Sequence, residues 1–386
     1  MKKNGRKRQA SRRGGIAVMV AAVIAMLLIL AAFAVNVAFM QLVREQLRIA
    51  CDSASKAALV NLGATQNESA AIAFAQSVSE HNLVAGKTPQ IAASNIVFGS
   101  AVADSYGAYT FTPGATPLNS VQVTGTVTRP LFLQTFVPVG SFTSSQVSVA
   151  TRISHDVCLV LDRSASMAFD LSSSEFSYPA DVSALGNPLQ IYFTPPSANG
   201  SRWQALTVAV DSFIATLQAR NLDVHVALVT YAEDFSFGTF SAADASLDVP
   251  LTSNFTLVGS TMDAWGRQAL VGNTNIEAGL SMAVAELTGG RARTTADRTI
   301  ILLTDGVPTT GNSDIASLTL NDRLSSQIVT HVITFGAQAS SGAYQSMMMN
   351  AADNGNGMYF NAPTATQLQQ AFQKIADSLP AVLIKQ

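Results

Sequence analysis

Twenty consecutive apolar residues, Ile16 to Val35, leave the start of this chain little choice of conformation. In hydrocarbon every backbone N–H and C=O needs a partner within the segment, which a helix supplies and an isolated strand does not. At about 1.5 Å per residue such a helix matches the roughly 30 Å apolar layer of a bilayer. Lys2, Lys3, Arg6, Lys7, Arg8, Arg12 and Arg13 precede it without one acidic residue, and a basic flank of that kind stays in the cytoplasm. The expectation is a cytoplasmic basic segment (1–14), a single-pass transmembrane helix (15–40), and the bulk of the chain outside the cytoplasm. Ala32-Phe33-Ala34 could pass for a signal-peptide cleavage site. The apolar run is longer than a usual signal-peptide core, however, and helix-compatible sequence continues through Arg44, Arg48 and Lys56, so the segment reads as an uncleaved anchor.

Seven of the 23 Lys and Arg residues stand in the first thirteen positions with no acidic residue among them, so a chain of net charge −2 is acidic over the rest of its length. That excludes nucleic acid as a partner on charge grounds. An apolar content of 48% over 386 residues is enough for more than one packed core.

Three patterns follow one another after the anchor. Residues 41–153 begin as a helical extension in which Leu47, Ala50, Ala54 and Ala58 recur at helical spacing, with a second helix expected over Ser69 to Val84. SNIVFGSAV, AYTFTP, NSVQVTGTVTR and SQVSVATRI then alternate apolar and polar residues between Gly, Pro, Asn and Ser clusters, the mark of a small antiparallel sheet. From Ser154 to residue 386 near-continuous apolar strands (DVCLVLD, NLDVHVALVTYA, DRTIILLTDG, THVITFGA, GMYFNA) alternate with amphipathic helices. That alternation predicts an α/β fold, a doubly wound and mainly parallel sheet covered on both faces. Residues 168–200 are long for a connector and form an insertion, whose Phe176, Tyr178, Tyr192 and Phe193 could wall a partner site or pack on their own domain. The run Met347-Met348-Met349 reads as helix core, and Cys51 and Cys158 as buried thiols that an oxidising compartment could in principle pair.

The chemistry concentrates at one edge. In a doubly wound sheet ligands collect outside the carboxyl ends of the strands, and two strands end in aspartate there, CLVLD at Asp162 and IILLTD at Asp305. Ser164 and Ser166 follow Asp162 at alternate positions, and Thr274 lies in a Gly/Asn-rich loop opening a helix. Five oxygen donors without His or Cys suit a hard divalent cation, Mg²⁺ or Mn²⁺, rather than zinc. A phosphoaspartate site would want a second carboxylate where Ser164 stands. A hydrolase triad lacks a base, because His155, His225 and His331 sit near strand starts, where surface or strand-entry positions are expected.

DRSAS, the Thr of GNTNIEAGL and the Asp of LLTDG match, position for position, the metal-ion-dependent adhesion site of von Willebrand factor A domains, a resemblance covering Ser154 to Leu379. It implies a Rossmann-like A domain in which Ser164 and Ser166 bind the metal directly, Thr274 joins when ligand is engaged, and Asp162 and Asp305 act largely through bridging waters. It also implies a partner protein that offers a carboxylate to the metal. The first sixty residues resemble the start of TadE/TadG-like proteins of the tight-adherence (Flp) pilus assembly system, which implies the inner membrane and pilus assembly components as partners. Asn36 stands where that family often has aspartate, and Val20 where processed pseudopilins carry glutamate, so prepilin-type processing is not expected. The reading is a non-enzymatic, metal-dependent adhesion or assembly module. The alternative is a chaperone or regulatory subunit recruiting an ATPase or other enzyme through its A domain.

Overall fold

A computed structural model describes residues 13–65, 67–103, 109–134, 140–172, 177–220, 222–238, 240–336, 342–379 and 382–385. Most of the basic N-terminal segment and Phe176 lie outside the described residues. The chain divides into two compact units, residues 1–152 with 382–386, and residues 153–381.

In the first unit α1 (Arg13–Thr65) runs unbroken for 53 residues, about 80 Å at the α-helical rise. Its two halves differ in what surrounds them. From Gly15 to Ala31 every residue is exposed, around the whole helix, and this is the one described helix long and apolar enough to cross a membrane. From Val43 onward a stripe at helical spacing, Val43, Leu47, Ala50, Ala54, Ala58 and Leu62, is buried. α2 (Glu68–His81) packs beside it, started by the Asn67 side chain, which accepts from the Ala70 N–H.

The sheet beneath it is formed by β1 (Ile96–Ala103), β2 (Tyr109–Pro113), β3 (Ser120–Pro130) and β4 (Ser141–Arg152), and the stripe shares its cores with β1, β3 and β4. On β3, Val121, Val123 and Val127 turn inward while Thr128 faces water. Small residues let helix and sheet approach closely: a Cβ added at Gly125 would meet the Cys51 sulfur at 2.6 Å. Cys51 is therefore a packing residue, and burial pushes its thiol up to about 11.

The second unit opens with β5 (Ser154–Asp162), which has every residue buried. A 3₁₀ turn (Ala165–Ala168) follows, then the short helices α3 (Ala180–Ser183) and α4 (Pro188–Tyr192) within the insertion. Next come α5 (Arg202–Ala219), β6 (Asp223–Tyr231), β7 (Phe235–Phe237), β8 (Phe240–Ala242), β9 (Ala245–Thr252), α6 (Thr256–Trp265) and α7 (Ile276–Thr288). β10 (Ala296–Thr304), α8 (Ile315–Ser326), β11 (Ile328–Phe335), α9 (Gly342–Asn354), β12 (Asn356–Ala362) and α10 (Ala365–Ser378) complete it. The sheet order is β12-β11-β10-β5-β6-β9, with every neighbouring pair parallel except β6 and β9.

Strand alternation sends Val157, Leu159 and Leu161 into a core with α5 and α10, and Cys158 and Val160 into one with α7, α8 and α9. Both faces being apolar is why DVCLVLD shows no polar alternation. Cys158 is wholly buried and unpaired, its thiol pushed well above the usual range by burial. Met348 is core, whereas Met349 is 43% exposed.

The short helices α3 and α4, the β7–β8 hairpin, β9, α6 and the last strand escaped the sequence reading. Phe235 to Thr252 lacks the long apolar run of the parallel strands, because the edge strand β9 has only Ala245, Val249 and Leu251 buried. The last strand, β13 (Val382–Lys385), pairs antiparallel with β4, so these residues extend the sheet of the first unit, whose order is β13-β4-β3-β1-β2.

Of the three histidines expected at surface or strand-entry positions, His155 stands at the entry of β5, whereas His331, the fourth residue of β11, corrects the expectation. His155 is 1% and His331 7% exposed. His331 Nδ1 accepts the Met358 N–H at 2.9 Å, and burial holds the ring down at about 4. The unfolded chain takes up this proton below about pH 6.5 while the folded one resists until about pH 4. Stability is therefore fully present above pH 6.5 and falls across that window, by about 3 kcal/mol for this group. Urea titrations between pH 4 and 7 should show a flatter profile in His331→Gln; identical slopes would contradict the assignment.

Candidate metal centre

β5 and β10 are neighbours in parallel register, so both end at the same edge, with Leu161 opposite Leu303 and Thr304 next in line. Asp162 and Asp305 arrive together there, 0% and 1% exposed. Asp162 Oδ1 accepts the Ser164 N–H at 2.8 Å, an Asx-type turn that folds DRSAS back over the strand end. The Ser166 hydroxyl donates to Asp305 Oδ1 at 2.7 Å, and the hydroxyls of Ser164 and Ser166 are 2.9 Å apart. Since Ser166 spends its proton on Asp305, Ser164 is the donor between them. Four of the five expected residues thus form one hydrogen-bonded chain.

Thr274 enters from the loop before α7, where Asn275 caps the helix by accepting from the Ala278 N–H at 3.2 Å. Its backbone is fixed on both sides: its N–H donates to Thr309 Oγ1 at 3.0 Å, and its carbonyl accepts the Thr309 N–H at 3.0 Å. Its hydroxyl lies beside Gly306, where an added Cβ would come within 3.8 Å of it. Thr274 is adjacent to the chain of four rather than bonded into it.

Two buried carboxylates facing each other are electrostatically costly. Burial first, and the nearby Asp305 charge second, push Asp162 up to about 7 against hydrogen bonds from Ser164 and Thr304. The Thr304 hydroxyl lies 3.1 Å from Asp162 Oδ2 and accepts from the Tyr344 hydroxyl at 3.3 Å.

The residue that sequence reasoning missed is Arg202. At the first position of α5, directly after the insertion, it is 1% exposed, and its Nη1 donates to Asp305 Oδ2 at 2.8 Å. Its guanidinium lies 5.7 Å from the Phe169 ring and against Gly336, where an added Cβ would sit 3.3 Å from Nε. Among the described residues its Nε and Nη2 have no hydrogen-bond partner. An arginine opening an amphipathic helix carries no sequence signal for this role, and 103 positions separate it from Asp305.

Arg163, between the site residues, points away. It is held over the Trp265 ring at 4.9 Å and donates to the Ala243 carbonyl. Of the insertion aromatics, Tyr178 packs edge-on to Phe169, while Phe193 stacks on Phe240 (4.2 Å) and Phe237 (5.6 Å). The Tyr192 hydroxyl accepts the Gly272 N–H at 3.1 Å, joining this aromatic layer to the Thr274 loop. Phe237 and Phe240 remain 55% and 40% exposed.

The donor set fits a hard divalent cation. All five donors are oxygens, and the described residues hold no cluster of three or more His, Cys, Asp or Glu, so a thiolate or imidazole metal is not matched. Arg202 pairs with Asp305 alone, which leaves the buried Asp162 carboxyl, pushed up by burial, as the group whose ionised form a cation would favour.

Residues 195–374 match the model of the von Willebrand factor type A domain, a span that begins after Asp162, Ser164 and Ser166. Residues 14–73 match a putative Flp pilus-assembly TadE/G-like family, and residues 55–150 a putative Tad-like Flp pilus-assembly family. No curated protein matches by sequence. Among solved structures, an aerotolerance-related membrane protein from Bacteroides fragilis is 16% identical, covering 58% of this chain and all of its own (TM-score 0.41). The PilB minor pilin from Streptococcus sanguinis, solved as a mutant, is 14% identical over 76% of this chain and 88% of its own (TM-score 0.44). Proximal thread matrix protein 1 from the mussel byssus, with a zinc-occupied MIDAS motif, is 17% identical over 62% of this chain and 50% of its own (TM-score 0.38).

Proposed function

For a chain that carries a TadE/TadG-like N-terminal part and a C-terminal von Willebrand factor type A domain, we propose a membrane-anchored, non-enzymatic module that binds a partner protein through Mg²⁺ or Mn²⁺. Its place would be Flp-type pilus assembly or surface adhesion, with the N-terminus cytoplasmic and the A domain beyond the inner membrane. One observation carries the metal reading: two buried aspartates and two linked serine hydroxyls converge at the carboxyl edge of the sheet.

Ser164, Ser166 and Thr274 would hold the ion through neutral hydroxyls, with Asp162 and Asp305 behind them. A divalent cation bound there supplies Lewis acidity and a coordination position for a partner's carboxylate. The protein's part is orientation. The Asx turn fixes the serine loop, Thr309 and Thr310 fix the backbone at Thr274, and Arg202 fixes one oxygen of Asp305. Ser166 donates to Asp305 Oδ1 and Arg202 to Oδ2, so both oxygens of that carboxylate are fixed in direction.

Thermal unfolding of the full chain in detergent tests the metal reading. Mg²⁺ or Mn²⁺ should raise the midpoint of the parent, as binding to the folded state alone must, and Asp162→Ala should lose that rise. Equal shifts in both proteins would sink it.

A further inference from the structure

Asn36 comes directly after the twenty-residue apolar run, at the position where the helix leaves the hydrocarbon layer. Its side-chain amide makes two hydrogen bonds to a single residue of the β3–β4 connection. Nδ2 donates to the Leu133 carbonyl at 3.0 Å, and Oδ1 accepts the Leu133 N–H at 2.9 Å. Asn119 uses the same pairing on Ala101 inside the sheet, so this is a side chain acting as a strand neighbour. An aspartate at position 36 could accept the N–H but could not donate to the carbonyl. Asn36 is 3% exposed, and one turn deeper in the apolar run Ala32 is 2% exposed, although Phe33 beside it is 61% exposed.

The pinned segment is uncharged, and its apolar exposure is concentrated at Phe132, since Leu131 is buried and Leu133 half-buried. No charged residue occurs from Leu131 to Gln146. Phe132 is 68% exposed, and its ring lies 5.9 Å from Phe39 on α1; Phe39 in turn meets Phe142 edge-on at 6.1 Å. An exposed phenylalanine costs free energy in water and gains it at the boundary between headgroups and acyl chains. A rigid helix with Leu133 fixed to its position 36 cannot hold that segment far from the depth at which the apolar run ends.

We propose that Leu131–Leu133 is a membrane-contacting segment, lying in the leaflet nearer the folded units with Phe132 in lipid. This rests on the reading of α1 as a membrane span. The segment would then fix the height and rotation of the first unit above the bilayer, which one flexible tether could not do.

The test uses the full chain in phosphatidylethanolamine/phosphatidylglycerol vesicles, labelled with an environment-sensitive fluorophore at Phe132→Cys, Ile24→Cys or Phe237→Cys. The parent, with its buried Cys51 and Cys158, sets the background. Quenching by spin-labelled lipid at positions 132 and 24, with iodide quenching confined to 237, is the expected result. Lipid quenching at 24 together with iodide quenching at 132 overturns the proposal and leaves the anchor intact. No lipid quenching at 24 overturns the anchor reading itself. A label at 132 shielded from both quenchers indicates a protein contact and also overturns the proposal. Adding Asn36→Asp should shift the 132 label from lipid towards iodide quenching; no change would remove Asn36 from the account.

Discussion

Arg202→Met should destabilise the A domain by about 3–5 kcal/mol in EDTA, the usual cost of removing one partner from a buried ion pair. The pair is enclosed, with side chains 2% and 0% exposed and 2.8 Å between Nη1 and Oδ2. Methionine keeps much of the volume against Phe169 and Gly336 while leaving the Asp305 charge to the Ser166 hydroxyl alone. Two further measurements separate charge from packing. Arg202→Met combined with Asp305→Asn should recover most of the loss, because the stranded charge is gone, and the coupling in that double-mutant cycle measures the pair. Excess Mg²⁺ should stabilise the single variant more than the parent, since a cation at the two aspartates replaces the missing positive charge. Denaturation that places Arg202→Met level with the parent would mean that Arg202 contributes only bulk.

Phe372→Ala should cost a similar amount, about 3–5 kcal/mol, for a different reason. Phe372 is wholly buried on α10, its ring 5.6 Å from Phe213 of α5, in the core formed with Val157, Leu159 and Leu161. Removing the ring loses its transfer free energy and leaves a cavity between two helices that already have other ties. Thr216 donates to Gln373 at 2.8 Å, and Arg220 donates to the carbonyls of Ala376 and Leu379. Those polar ties hold α10 in place and limit collapse into the cavity, which puts the expected cost towards the upper part of the range. Phe372→Leu, which keeps more of the volume, should cost well under half as much. Chemical denaturation of the three proteins checks both values; equal stability of Phe372→Ala and parent would show that α10 is held by its polar contacts alone.

Much of this arrangement could be read along the chain because the decisive signals are local. The transmembrane length of Ile16–Val35, the helical stripe of Leu47, Ala50, Ala54 and Ala58, and the uninterrupted apolarity of DVCLVLD and IILLT each reflect one element and its surroundings. The β7–β8 hairpin, β9 and α6 were not legible, because an edge strand with three buried residues has almost no pattern. The burial of His155 and His331 was not legible either: one is the second residue of β5, the other the fourth of β11, and only the neighbouring elements cover them.

What the sequence by itself determined is the kind of chemistry. Asp162, Ser164, Ser166, Thr274 and Asp305 are all oxygen donors at strand ends and loop positions, whatever their distances. The tertiary structure alone decided the charge environment of those donors. The parallel register of β5 and β10 presses two carboxylates together, and the start of α5 inserts a buried arginine against one of them. The same holds for Asn36, a single polar residue after an apolar run until Leu133, 97 positions away, meets both ends of its amide. Residue type is written in the chain, but burial and charge pairing depend on which distant segments are brought together, and packing sets that.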